Sequence, residues 1–301
     1  METSSLPDPA FSVVIPSYNR KECLLRLLDG IYRQQCRDFE IIVVDDASSD
    51  DTVEAISRKF PNVRLLVNEV NSGPCVTRNR GITAAKGQYI LGFDSDVSLA
   101  DSDLFGKVQS AFKNHPSASG FAFRIFSPDG LTDDSPRWWH PKPIKDGKDQ
   151  LFESDYFSGT AYAFSRETMV KAGLFPTVFY MHYEEVELAY RILDQGGTII
   201  YDPSLTAIHH ESKVAKRSRI QKYYKPRNQI LLAASCFPKI KALRYLFPRM
   251  GYQLLKAISG FHLPSFFAAL WDATKILPGL WPSRNPLKRE TLDRISELRR
   301  V

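Results

Sequence analysis

The stretch Gly87–Asp103, GQYILGFDSDVSLADSD, runs from an apolar segment straight into Asp94 and Asp96, with only Ser95 between them. Two carboxylates at the end of a buried run are costly to leave there unless something binds them. The segment QYILGFD reads as a strand, and the same pattern recurs upstream. FSVVIP (Phe11 to Pro16) is a β-branched run followed by CLLRLLDGIYRQQ, whose Leu24, Leu25, Leu27, Leu28 and Ile31 have helical spacing. FEIIVVDD (Phe39 to Asp46) is a second strand. SSDDTVEAISRKF follows as a helix opened by Ser and Asp caps, and NVRLLVNE is a third strand. GPCVTRNRGITAAKG reads as a helix from about Pro74, stopped by Gly87.

Strands that are apolar throughout and separated by single helices predict an α/β fold: a Rossmann-like, mostly parallel sheet with helices on both faces. Ligands of such sheets sit at the carboxyl ends of the strands. The polar residues of this chain collect there: Tyr18 and Asn19, then Asp45 and Asp46, then Asn68 and Asn71, then Asp94 and Asp96. A lone aspartate at such a place is usually a cap or turn residue; agreement at four strand ends points to a cleft. Neither GxGxxG nor GxxxxGK[ST] is present after the first strand, which argues against a dinucleotide or a P-loop site. Carboxylates at i and i+2 suit a hard divalent cation, Mg²⁺ or Mn²⁺, bridging to ligand phosphates.

The set VVIPSYNR, EIIVVDDASSDDT, NSGPCVTRNRGITAAKGQYILGFDSD and YEEVELAYRI resembles, in order and spacing, the family 2 inverting glycosyltransferases of the GT-A fold, over about Phe11 to Ser212. The likeness is to the non-processive, rhamnosyltransferase-like members. It implies a GT-A glycosyltransferase domain over 1–212, with a nucleotide-binding half (11–100) and an acceptor half (101–212), and a helical, basic and aromatic C-terminal region over 213–301. By this resemblance Pro16 and Tyr18 border the nucleoside base, Asp46 bonds to base or ribose, and Arg78 lies near the nucleotide. Asp94 and Asp96 match the DxD motif, with Asp96 the direct metal ligand, and Gly159 and Thr160 border the acceptor. The family's catalytic base is the Asp of an ED pair. Glu185 stands in its place here, and the departure leaves Glu184 open as the alternative base.

In YDPSLTAIHHES, after a strand ended by Pro203, the family often places a metal-ligating His, and the spacing favours His209 over His210. Trp138 and Trp139 in SPRWWHPKP could stack on a sugar or lipid-linked acceptor, or plug the core. FESDYFSGTAYAFSRETMVKAGLF reads as one strand and a helix capped by Ser165 or Thr168. The QxxRW motif of processive members is absent; QKYYKPRN is found instead.

The chain has 301 residues, 43% of them hydrophobic, which is ample for a large core, and a formal charge of +6. Four cysteines lack CxxC spacing, and the N-terminal residues have no basic-then-apolar leader pattern, so a cytoplasmic protein is expected. KVAKRSRIQKYYKPR (Lys213 to Arg227) contains no acid and points to an anionic partner or a solvated basic helix. Beyond it, Leu, Phe, Trp and Tyr mixed with Lys and Arg suit either a membrane interface or packing on the catalytic domain or a second subunit. The expected partners are a nucleotide-diphosphate sugar and a saccharide or lipid-linked acceptor in polysaccharide biosynthesis, with peripheral membrane contact and no nucleic acid. The expected cofactor is Mn²⁺ or Mg²⁺. The rival readings are an inactive binding or scaffold protein of the same fold and a sugar-1-phosphate nucleotidyltransferase, whose glycine-rich loop PSYNRKECLL does not provide.

Overall fold

The computed structural model describes residues 8–210, 216–282 and 284–300. Its elements are β1 (Phe11–Ser17), α1 (Lys21–Tyr32), β2 (Phe39–Asp45), α2 (Thr52–Lys59), β3 (Arg64–Val67), α3 (Pro74–Ala84), β4 (Tyr89–Phe93), β5 (Val97–Ser98), α4 (Leu104–Asn114), β6 (Gly120–Phe126), α5 (Ile144–Gly147), β7 (Phe152–Ser154), β8 (Ala161–Ser165), α6 (Arg166–Lys171), α7 (Glu184–Asp194) and β9 (Ile199–His209). The chain then turns helical: α8 (Lys216–Cys236), α9 (Lys239–Ser259), α10 (Leu263–Leu280) and α11 (Arg289–Leu298).

The sheet order is β3-β2-β1-β4-β8-β6-β9-β5, with β7 added on β9. β1 pairs in parallel with both β2 and β4, and β2 with β3. Alternation sends Phe11, Val13, Ile15, Ile41 and Val43 to the face covered by α1, α2 and α4. Val14, Ile42 and Val44 go to the other face, under α3, α6 and α7. Both faces are therefore buried, which is why these strands read as unbroken apolar runs. Antiparallel pairing enters with β8, which joins β4 and β6.

Three expectations are corrected in detail. The 152–175 stretch holds two strands, β7 and β8, and Ser165 caps α6 by accepting from Thr168 N. The cap expected from the residues before α2 is made by Asp50, which takes the Thr52 N–H; Asp51 makes no such bond. Pro203 does not end its strand: β9 runs on to His209, and the register against β6 jumps between Phe123↔Asp202 and Arg124↔Thr206. Pro203 sits in this bulge, where its missing N–H breaks no ladder bond, and Asp202 accepts from Ser204 N at 2.9 Å to close it. The bulge sets the register that delivers His209 opposite Val97, beside the Asp94–Asp96 turn.

A third core cluster joins the C-terminal helices to the rest. Leu231, Leu232, Phe237, Ala273, Leu292 and Ile295 pack against Tyr183, Val186, Tyr190 and Leu193 around α7. α11 returns to the sheet edge, where Arg294 pairs with Glu153 and Arg299 with Asp155, each at 2.6 Å. The expected boundary at 212/213 and the first part of the Lys213 to Arg227 block lie outside the described residues.

Candidate active site

The strand ends converge. Beyond β1, Pro16 is half-buried and Tyr18 exposed, and Asn19 accepts from Ser49 N at 2.8 Å. Beyond β2, Asp46 takes three donors: Asn68 Nδ2 at 2.7 Å, Ser72 N at 2.9 Å and Gly73 N at 2.8 Å. Most of its acceptor capacity is thus engaged in shaping the 68–73 loop.

Strand alternation would put Asp94 and Asp96 on one face, but the chain has left β4 by Asp94 and turned, with Val97 N bonding to Asp94 O at 3.1 Å. Asp94 N donates to Thr160 O at 3.0 Å, and its Oδ1 accepts from Arg78 Nη2 at 2.7 Å. Asp96 Oδ2 accepts from Arg20 Nη1 at 2.8 Å, and its Oδ1 lies 3.5 Å from His209 Nε2. One ligand atom each from Asp94, Asp96 and His209 falls within 4.8 Å of the others.

His209 Nδ1 is held by Asp134 Oδ2 at 2.9 Å, which leaves Nε2 directed at Asp96. Burial works against charge on His209, but its bonds to Asp134 and Asp96 prevail and hold its pKa up to about 9. Burial likewise opposes ionisation of Asp96, and the His209 hydrogen bond, His209 charge and Arg20 bring it down to about 2. A carboxylate–imidazole pair whose outer nitrogen is anchored by a second carboxylate is a common metal-ligand arrangement. His210 is bonded instead to Ser98 Oγ at 2.7 Å.

On the other side of Arg78 stand the glutamates. Arg78 is buried, with the Phe175 ring 5.3 Å from its guanidinium and Glu184 Oε1 3.7 Å from Nη1. Burial, then the charge of Glu185, pushes the Glu184 carboxyl well above its ordinary range. Glu185 is partly exposed, and its Oε1 accepts from Gly159 N at 3.2 Å. A Cβ at Gly159 would lie 2.6 Å from that oxygen and 3.0 Å from Arg78 Nη2, so only glycine allows the approach. Both glutamates open α7, where the helix dipole favours negative charge.

Residues 12–173 match the model of Glycosyl transferase family 2. The chain belongs to that family. Among family 2 relatives, a PGL/p-HBAD biosynthesis glycosyltransferase of Mycobacterium tuberculosis is 34% identical over 110 residues, covering 36% of this chain and 43% of the relative. The putative colanic acid biosynthesis glycosyl transferase WcaA of Escherichia coli is 34% identical over 94 residues, 30% of this chain and 33% of that one. The match thus spans less than half the length of either curated relative. Mannosyltransferase PcManGT of Pyrobaculum calidifontis, solved with GDP-Man and Mn²⁺, superposes with a TM-score of 0.59 at 18% identity, over 97% of this chain and 84% of that one. S. aureus TarS 1-349 with UDP-GlcNAc gives 0.61 at 16% identity, over 91% and 83%. The fold is that of GT-A glycosyltransferases, with a helical C-terminal region added.

Several members of the site escape a sequence reading of this family 2 chain. Asp134 is 75 residues from the His209 it anchors, and Arg20 is 76 from Asp96. Asn228 of α8 donates to the carbonyls of Phe179 (2.9 Å), Met181 (2.7 Å) and His182 (2.7 Å). Those carbonyls belong to a loop in which Tyr180, His182 and Tyr183 all have left-handed backbones, φ 63°, 68° and 72°. Such strain persists only where the surroundings hold it, and here the held loop delivers Glu184 and Glu185. Trp138 turns inward, against His140, Phe152 and Tyr201, and its indole donates to Lys142 O at 2.7 Å. Of the two alternatives for that ring, the core plug is what its contacts describe. Trp139 is half-buried against Tyr156 and Tyr183, beside the start of α7.

Proposed function

We propose that this chain is an inverting, non-processive glycosyltransferase that moves one sugar from a nucleotide diphosphate to a hydroxyl acceptor by direct displacement. The observation that carries the reading is the bridge made by Arg78: one buried guanidinium joins the Asp94–Asp96–His209 cluster to the Glu184–Glu185 helix terminus. A cation-ready group of ligands and a partly exposed carboxylate thus stand on either side of one guanidinium, the two kinds of group that a displacement at a sugar carbon requires.

The chemistry proceeds as follows. Glu185 accepts the proton of the acceptor hydroxyl while that oxygen bonds to the anomeric carbon from the side opposite the leaving group. The bond from that carbon to the phosphate oxygen breaks, its electron pair leaves with the nucleoside diphosphate, and the configuration inverts. Gly159 N–H orients Glu185 through its Oε1. Glu184 is closed off against Arg78 and serves to position it, which favours Glu185 as the base. Asp96 and His209, with Asp94, would hold Mn²⁺ or Mg²⁺, and the mixed oxygen and imidazole donor set leans toward Mn²⁺. A bound divalent ion neutralises charge on the departing diphosphate. Pro16, Tyr18 and Asp46 serve the nucleoside; Gly159, Thr160 and Trp139 border the acceptor.

The solved neighbours with GDP-Man and with UDP-GlcNAc support a sugar nucleotide donor, and the relatives named for biosynthesis support a building role with a saccharide or lipid-linked acceptor. The location that goes with this reading is the cytoplasmic side of a membrane. Calorimetry with UDP, GDP, dTDP and CMP, with and without Mn²⁺, tests it. One nucleotide should bind in a Mn²⁺-dependent way that Asp96→Ala removes; no binding of any of them would overturn the reading.

A further inference from the structure

The C-terminal helices are only half used by the core. The inner side of α9 packs through Ala242, Tyr245, Leu246 and the buried Ala257. Its outer side carries Ile240, Leu243, Phe247, Leu254 and Ile258 at helical spacing, with Leu255 beside them, all exposed. Phe247 is 87% exposed, and Phe261, in the turn that leads to α10, 96%. Phe267 and Trp271, one turn apart on α10, are also open to solvent. Soluble surfaces rarely leave so long a continuous apolar stripe without a partner.

Charge says which partner. From Ser212 to Trp271 the sequence has twelve Lys and Arg and not one Asp or Glu, although the whole chain carries only +6. The rest of the protein is therefore net negative, and its positive charge is concentrated in this span of the sequence. On α9 itself stand Lys239, Lys241, Arg244, Arg249 and Lys256. Arg249 lies over the Tyr245 ring at 3.8 Å, Lys256 over Tyr252 at 5.0 Å and Lys275 over Trp271 at 5.1 Å. Long cationic side chains with apolar stems beside aromatic rings suit the headgroup boundary of a bilayer.

We propose that the outer face of α9, continued by Phe261, seats this protein on an anionic phospholipid surface, the helix lying in the plane of the interface. No described helix is long and apolar enough to cross a membrane; at 21 residues α9 covers about 31 Å of surface lengthwise. A second copy of the chain is a poorer complement. A two-fold pairing through this face would set two acid-free basic stripes against each other, with no carboxylate on either to receive the cations. Tyr245 of α9 packs in the same cluster as Tyr183, the residue just before α7. The seat thus lies one helix behind Glu185. That link to a lipid-linked acceptor rests on the transferase reading above; the docking face does not.

Flotation of the full chain with phosphatidylcholine vesicles, and with vesicles of equal parts phosphatidylcholine and phosphatidylglycerol, tests the proposal. The protein should float with the anionic vesicles, less so as salt rises, and remain behind with phosphatidylcholine alone. The paired substitution Phe247→Ser and Phe261→Ser should lower partitioning roughly tenfold or more. The triple change Lys239→Glu, Lys241→Glu, Arg244→Glu should lower it by a similar factor and flatten its salt dependence. Circular dichroism and nucleotide calorimetry on the same variants check that they remain folded. Equal partitioning onto both vesicle types, absence from both, or flotation unchanged by the Phe substitutions overturns the proposal. So does a sedimenting dimer that those substitutions dissolve. Transfer to a soluble acceptor without vesicle binding would sink the lipid face and leave the transferase reading intact; vesicle binding without nucleotide binding would do the reverse.

Discussion

The two halves of the site are built in different ways. On the side proposed for the nucleotide, Tyr18, Asp46, Asp94 and Asp96 follow the ends of strands that are themselves short contiguous runs, and Asp46 finds its partners Asn68, Ser72 and Gly73 in a neighbouring loop. The side proposed for the acceptor is assembled from far apart: Gly159, Glu185, Asn228 and the strained 179–183 loop meet only once α8 has docked. A parallel sheet supplies the first kind of site as a by-product of its topology. The second needs tertiary support, so it should break by different substitutions.

The largest separation between the halves is expected at Glu185. Glu185→Gln keeps the shape and the bond from Gly159 N but cannot take a proton. Transfer should fall by about 10²–10⁴-fold while nucleotide binding by calorimetry stays as in the unaltered protein. Transfer that survives unchanged would move the base elsewhere.

Next comes the cation cluster, which belongs to both halves because His209 arrives on β9. Asp134→Asn removes the charge that anchors Nδ1 and leaves the ligands themselves in place. Mn²⁺ affinity, read from the Mn²⁺ dependence of nucleotide binding, should weaken by about 10–100-fold. Unaltered Mn²⁺ dependence would reduce Asp134 to a packing residue.

Asn228→Ala sharpens the comparison at the loop. Three carbonyls lose a shared donor, at about 1 kcal/mol per bond, and the left-handed residues lose their clamp. Turnover should drop roughly tenfold, with nucleotide affinity changed far less, because the bonds Asn228 donates go to carbonyls of the 179–182 stretch that leads into α7. A parallel loss of nucleotide affinity would show that α8 supports the whole site.

This division also decides what the sequence could tell. β1 to β4 are legible because apolar runs alternate with helical periods along the chain, and Asp94 and Asp96 because they stand together where one such run ends. The roles proposed for Glu185 and His209 come only through family resemblance. Asp134, Arg20 and Asn228 had no signal: an Asp after a loop, an Arg before a helix and an Asn in a helix look the same with or without a remote partner. Pro203 was misread because a proline in a strand is compatible with either an end or a bulge, and only the register of β6 distinguishes them.

The smallest effect concerns stability, and it too separates the halves. His140 is buried in the half proposed for the acceptor, ringed by Trp138, Phe152, Tyr156 and Tyr201, with Nδ1 bonded to Ser154 Oγ at 2.8 Å. Burial, then the nearby Arg299 charge, brings its pKa down from 6.5 to about 3. Between those values an unfolded chain binds a proton that the folded one refuses, so this group costs stability as pH falls below the unfolded value, at up to about 1.4 kcal/mol per pH unit. His140→Phe removes the titration and also one partner of Ser154. Its urea midpoint should therefore start lower near neutral pH and fall less steeply on acidification than that of the unaltered chain. Parallel slopes for the two proteins would mean that His140 meets solvent before the acceptor half unfolds, and that this half opens locally while the parallel sheet stays closed.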